Sequence, residues 1–234
     1  MTDTIDFTMM YVTHNAFRRD LGRLTAAAAE ERPDTGRIRG GWENFKQQLH
    51  IHHTVEDTDL WPRLHRAVTS ADDLALLEQM EAEHALIDPL LAAVDKAMDK
   101  AMDKAKDGRR ADLADCLDQL SEALVHHLEH EEAQALPLIQ AVLTPADWRA
   151  FANAMRSRQG VRGAAVYVPW ILDGAAPAEQ RRFLGALPAP VTVLNRLLWQ
   201  HSYRRRQLWG SASATGPAPG RARAASTGPG GDQR

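Results

Sequence analysis

The chain of 234 residues contains one cysteine, Cys116. A single thiol excludes an internal disulfide framework, and it excludes a zinc or iron–sulfur site built from several thiolates of one chain. It fits a reducing compartment, so a cytoplasmic location is expected. No apolar run approaches the ~20 residues of a membrane span. The opening residues, Met1-Thr-Asp-Thr-Ile-Asp-Phe7, have neither the basic start nor the apolar stretch of a signal peptide. Net charge is only −3, which gives no global electrostatic case for nucleic acid as a partner. Aromatic residues are scarce at 6%, yet 44% of the chain is hydrophobic and 25% charged, enough to bury a sizeable core.

Histidine is what the chain has in quantity: nine of its ten histidines lie before residue 143. That region reads as four long helices, at about 8–31, 42–67, 70–106 and 109–142. The cluster Arg32-Pro33-Asp34-Thr35-Gly36 is expected to end the first, with Gly40-Gly41 closing the loop. Pro62 and Pro89 predict bends, because proline removes a backbone hydrogen bond. Thr69 to Asp72 offers N-caps for the third helix, and Asp107-Gly108 a stop after it. Short connections between long helices imply antiparallel neighbours, hence an all-α, up-down-up-down four-helix bundle. The tandem copies Ala97-Met-Asp-Lys100 and Ala101-Met-Asp-Lys104 read as a one-turn expansion of a solvated helix end.

A second region starts at Thr144-Pro145-Ala-Asp147, with threonine as N-cap and proline in the first turn. Helices are expected at about 145–157, 163–173, 177–186 and 190–209. Beyond Gly210 the chain is Gly, Ala, Ser, Pro and Arg with almost nothing to bury, so a disordered tail is expected. The domains are therefore a bundle over 1–143, a helical extension over 144–210 and a tail over 211–234.

Two segments of the bundle carry one pattern. His52 is followed by Glu56 and Pro62, and His127 by Glu131 and Pro137, at the same offsets of four and ten. Histidine and glutamate at i and i+4 share a helix face. Both pairs lie in apolar stripes: Phe45, Leu49, His52, Glu56 on the second helix, and Leu117, Leu120, Leu124, His127, Glu131 on the fourth. The other helices add one histidine each to theirs: Met10, His14, Phe17, Leu21 on the first, and Leu77, Met80, His84, Ile87 on the third. Buried glutamates need a cation, and no lysine or arginine occupies these stripes. Two buried His–Glu hydrogen bonds are the bland alternative for the paired residues. A single layer that must satisfy both pairs favours metal ligation by His14, His52, Glu56, His84, His127 and Glu131. Two imidazoles per metal, two bridging carboxylates and a shared oxide or hydroxide would leave an octahedral ion one open position. Such a mixed set suits iron or manganese better than structural zinc.

Other side chains nearby are ranked below these. His53 is either an extra or substitute ligand or, the favoured reading, a support behind the ligands; His130 is expected to support them likewise, and His50, His65 and His126 to be solvated. Asp57 and Glu132 are expected to face outward. Tyr11, three residues before His14, is either a proton donor to the pocket or a core-edge aromatic. Cys116 reads as a packed thiol, and Arg204-Arg205-Arg206 as a solvated helix face. Tyr167-Val-Pro-Trp-Ile-Leu172 is either a lid over the bundle or a contact of a homodimer formed through the extension.

These residues resemble the hemerythrin-like HHE cation-binding family over about residues 7–142. A lone histidine, H-x-x-x-E, a lone histidine and H-x-x-x-E fall on successive helices, and His14-Asn-Ala-Phe-Arg-Arg-Asp-Leu21, Glu83-His84 and Leu60-Trp-Pro62 are similar to its flanking words. The resemblance implies a non-haem di-iron centre that binds O2, peroxide or nitric oxide. The family's oxygen carriers have H-x-x-x-H on the third helix and divide their histidines three and two. This chain has Asp88 after His84, and the division expected from its stripes is even. An even division leaves a reactive position on each iron, which favours peroxide or nitric oxide chemistry, with catalase-like peroxide disproportionation as the net activity. A redox or gas sensor acting through the extension, and an interaction module without metal, are the competing readings.

Overall fold

The computed structural model describes residues 4–30, 35–102 and 108–209. The expected tail, the second half of the second tandem copy, the turn residues 31–34 and Asp107 lie outside the described residues. Among those described there is no strand, and no helix is long and apolar enough to cross a membrane.

Four helical rods form the bundle. They are α1 (Thr8–Ala28), α2 continued through a π-helical turn into α3 (Thr35–Ala67), α4 (Ala71–Met102), and α5 continued through a second π turn into α6 (Gly108–Val142). The rod α1 packs on α2 and α5, and α4 packs on α5 and α2. One buried cluster joins Phe17, Leu21 and Leu24 of α1 to Trp42, Phe45 and Leu49 of α2, Ile87 and Val94 of α4, and Leu117, Leu120 and Leu124 of α5. A second joins Met10 to Ile51, Leu60 and Trp61, to Leu77 and Met80, and to Leu136 and Ile139. Early residues of α1 and α4 thus meet late residues of the other two rods, as alternating chain directions require. His14, His52, His84 and His127 occupy the polar layer between the clusters.

Two local features depart from the sequence reading. Gly40 and Gly41 lie inside α2, not in a loop. A Cβ at Gly41 would stand 2.4 Å from the Trp209 ring, and one at Gly40 would stand 3.3 Å from Leu208. The glycines let Leu208 and Trp209 lie against the helix, which offsets their low helix propensity. The bend expected at Pro62 takes the form of the π turn Glu56–Leu60, and its counterpart before Pro137 is Glu131–Ala135. In each, the amide five residues beyond the glutamate bonds to the glutamate carbonyl: Trp61 to Glu56 and Leu136 to Glu131. α4 continues through Pro89.

The extension starts as its sequence predicts. Thr144 caps α7 (Pro145–Leu172) in a capping box with Asp147. Gly160, at φ 61°, turns α7 into two helical arms. α8 (Pro177–Ala186), α9 (Ala189–Leu194), a third π turn and α10 (Gln200–Arg206) follow. Trp170, Ile171, Leu172, Phe183, Tyr203 and Trp209 belong to the same buried cluster as Phe17 and Trp42. Within the segment read as lid or dimer contact, Val168 to Leu172 are therefore buried against their own bundle. The indole Nε1 of Trp170 donates to Asp20 (2.7 Å), a fully buried carboxylate that also receives Arg19 and Arg23. Arg23 in turn donates to Asp173 at 2.8 Å. Cys116 packs half-buried against the apolar cluster.

Candidate metal centre

Each rod delivers its histidine to the central layer because the apolar stripe above and below fixes its rotation. All six residues singled out from the stripes are buried there. Five of them, with His53, form two groups of converging donor atoms: His14, His52 and Glu131, and His53, His84 and His127. In the first, His14 Nε2 lies 3.2 Å from His52 Nε2 and 3.2 Å from Glu131 Oε2. In the second, His84 Nε2 lies 3.1 Å from His127 Nε2, and the His53 ring stacks on His84 with centroids 3.9 Å apart. Glu56 stands between them, with Oε1 3.2 Å from His52 Nε2 and Oε2 3.7 Å from His84 Nε2.

His53 was expected behind the ligands, and the structure places it among them. One residue beyond His52, its ring crosses to the neighbouring α4–α5 side of the layer, so the imidazoles divide two and three. Asp57 and Glu132 were expected to face outward; Asp57 stays exposed at 43% and Glu132 is half-buried, yet each reaches a histidine of the layer. Asp57 meets His84 Nδ1 at 2.7 Å and Glu132 meets His14 Nδ1 at 2.7 Å. Each sits one residue, about 100° of helical rotation, past a buried glutamate, at the edge of the core face, from where its carboxylate reaches the histidine of a neighbouring rod. The repeated pair Glu-Asp and Glu-Glu ahead of Leu-x-Pro or Leu-Pro was the available signal. His127 is held likewise, with Nδ1 2.9 Å from Glu83 of α4. His130 lies outside the cage, bonded to the other oxygen of Glu83 at 2.7 Å. Tyr11 is 43% exposed, so it sits at the edge and not in the pocket. The phenol near the layer is that of Tyr167, 2.7 Å from the Thr13 hydroxyl. Thr13 donates to the Met9 carbonyl, so Tyr167 donates to Thr13.

The arrangement fits a cation on chemical grounds. His84 and His127 each direct Nδ1 at a carboxylate, which assigns the proton to Nδ1 and leaves both Nε2 lone pairs facing each other. Two imidazole nitrogens about 2.1 Å from one ion, at a right angle, stand about 3 Å apart. Both oxygens of Glu56 and of Glu131 and Nε2 of His53 are buried without a hydrogen-bond partner. Such a concentration of unpaired polar atoms in a dry core is costly unless an ion satisfies them. Burial, then the neighbouring imidazoles, pushes His52 and His53 well below the usual histidine range, toward the neutral form that binds metal. Burial and the nearby Glu131 push Glu56 well above the usual carboxylate range. Burial opposes ionisation of Glu131 as well, but the adjacent His14 imidazole outweighs it and holds Glu131 low, at about 2.

A family model, the hemerythrin HHE cation binding domain, matches residues 6–139. Comparisons with curated proteins and with solved structures return no match.

Proposed function

The chain belongs to the hemerythrin family of HHE cation-binding domains, and from that premise we propose that its metal-binding layer holds two irons and binds O2 or hydrogen peroxide. Two irons are the usual complement of this domain. The observation that carries the reading is the pair of imidazole groups, of two and three, joined by Glu56. Imidazole with carboxylate, in a site not closed by protein donors alone, suits a redox ion. The unequal division supports ligand binding at the metal served by His14 and His52, which has the fewer imidazoles. It supports O2 binding ahead of peroxide disproportionation, which the even division had favoured.

The irons would supply the one-electron couple. The protein's contribution is geometry and exclusion. Asp57, Glu83 and Glu132 hold the Nδ1 protons of His84, His127 and His14, and so aim the Nε2 lone pairs inward. Phe17, 5.4 Å from the His52 ring, and Trp170 behind it wall the layer on one side, and Leu60, Trp61 and Met80 wall it on the other. Metal analysis with an absorption spectrum tests the assignment. About two irons per chain, with oxo-bridged ferric bands that O2 restores after reduction, is the expected result. About one zinc per chain with no iron would overturn it. Rapid O2 evolution from added peroxide, lost in His127→Ala, would establish disproportionation, and no turnover by the iron-loaded protein would remove it.

One contact path favours a sensor as the second reading. The His52 ring meets Phe17, Phe17 meets Trp170, and Trp170 holds Asp20 beside Arg23 and Asp173. Ligand or redox state at the layer would then alter the protease sensitivity of α7 to α10. Identical cleavage of apo, reduced and oxidised protein would rule this out.

A further inference from the structure

Outside the central layer, α4 and α5 present a second cluster of donors. His126 and His130 are one turn apart on α5, with ring centroids 5.9 Å apart and planes 35° from parallel. Glu83 of α4 faces both: its Oε1 lies 2.7 Å from His130 Nδ1 and 3.8 Å from His126 Nε2. One donor atom from each of the three lies within 4.8 Å of the others. No lysine or arginine among the described residues pairs with Glu83, whose ion-pair partners are His126, His127 and His130. The layer uses only part of this cluster. Glu83 holds His127 through Oε2, while His130 sits behind Oε1 and His126 is 71% exposed.

We propose that His126, His130 and Glu83 form a peripheral site for a divalent transition-metal ion, separate from the central layer. Two imidazoles at i and i+4 on one helix make a preformed clamp, because the helix fixes their separation. A carboxylate from the facing helix completes three donors on one side of an ion and leaves the other side to water. Zinc, cobalt and nickel match this nitrogen-rich set, whereas magnesium and calcium prefer an oxygen shell. Glu83 divides its two oxygens between the sites. An ion bound outside takes Oε1, already turned to His130, and leaves Oε2 on His127. The inference rests on these side chains alone and holds whatever metal the central layer carries.

The test uses the full chain, untagged and as purified, dialysed against increasing zinc with zinc and iron measured in the same samples. The expected result is about one zinc per chain beyond the metal already present, with the resident metal unchanged. In His126→Gln this ion should bind at least about tenfold more weakly, the smallest loss expected when a ligand is removed. His126 is exposed and outside the central layer, so the variant keeps the resident metal content as an internal control of folding. Equal zinc binding by wild type and variant would overturn the site, as would zinc uptake only in exchange for resident metal.

Discussion

At the scale of single residues, the carboxylates behind the imidazoles decide how well the layer holds metal. Asp57 and Glu132 each accept a hydrogen bond from the Nδ1 of a histidine on another rod. Glu132 also receives Arg18 at 2.8 Å, which fixes its carboxylate. Asp57→Asn and Glu132→Gln keep shape but lose the charge that holds the tautomer. Each should lower metal affinity by ~10–100-fold with little change in melting temperature. Metal retained after dialysis against a graded chelator reads the first quantity and thermal unfolding the second; full retention would show that these contacts do not orient the ligands. Tyr167 offers a residue-scale test of the contact between extension and bundle. Burial pushes its phenol up to about 12, against about 10 for a free tyrosine. A raised value means the folded state keeps a proton that the unfolded state gives up. The contribution to stability is complete below pH ~10 and is lost as pH rises toward about 12. The phenolate absorbance of wild type minus Tyr167→Phe should therefore stay flat through pH ~10 and rise only near about 12. A rise near ~10 would show that the phenol is not buried against Thr13.

At the scale of elements, the two π turns are where helical periodicity stops predicting side-chain direction. His14, His52, His84 and His127 were legible because the α-helical repeat holds on both sides of each of them. Glu56 and Glu131 were legible because they are the first residues of the turns, reached from their histidines through α-helix alone. Asp57 and Glu132 come one residue later, at the edge of the core face, where a wheel reads outward but the carboxylate still reaches the imidazole of a neighbouring rod. His53 was ranked too low for a different reason: adjacency to His52 excludes it from the same stripe, but the layer extends across two rods. Proline supports the turns. Pro62 and Pro137 lack the amide an uninterrupted α-helix would use, and their rings disfavour the preceding α-helical turn. The Thr58 hydroxyl donates to the Thr54 carbonyl at 2.7 Å, giving that oxygen a partner at the start of the turn. Pro137→Ala should let α5 run on toward α-helical pitch and swing Glu132 away from His14. The apo protein should be at least as stable and at least as helical by circular dichroism, while metal affinity falls. Unchanged affinity with unchanged helicity would mean that packing, and not proline, sets the turn.

At the scale of the molecule, bundle and extension share one apolar cluster, and the closing contact is made by the last described residue. Trp209 lies fully buried on Gly41, and its amide donates to the Arg37 carbonyl at 3.2 Å. Sequence placed Gly40-Gly41 in a loop because two glycines usually interrupt a helix, and the partner that explains them comes from the far end of the chain. That contact makes a double-mutant cycle informative. Gly41→Ala puts a methyl 2.4 Å from the indole, so the ring must shift, at a cost of ~1–3 kcal/mol. Trp209→Ala removes a buried indole and should cost ~3–5 kcal/mol. With the indole gone the methyl meets no ring, and alanine inside α2 then gains the ~0.5–1 kcal/mol by which it exceeds glycine as a helix former. The same Gly41→Ala change should therefore destabilise the wild type and stabilise Trp209→Ala, when both pairs are compared by urea unfolding. A change of sign across the cycle requires direct contact between the two sites. Equal effects in both backgrounds would detach the end of the chain from α2 and leave the extension without this anchor on the bundle.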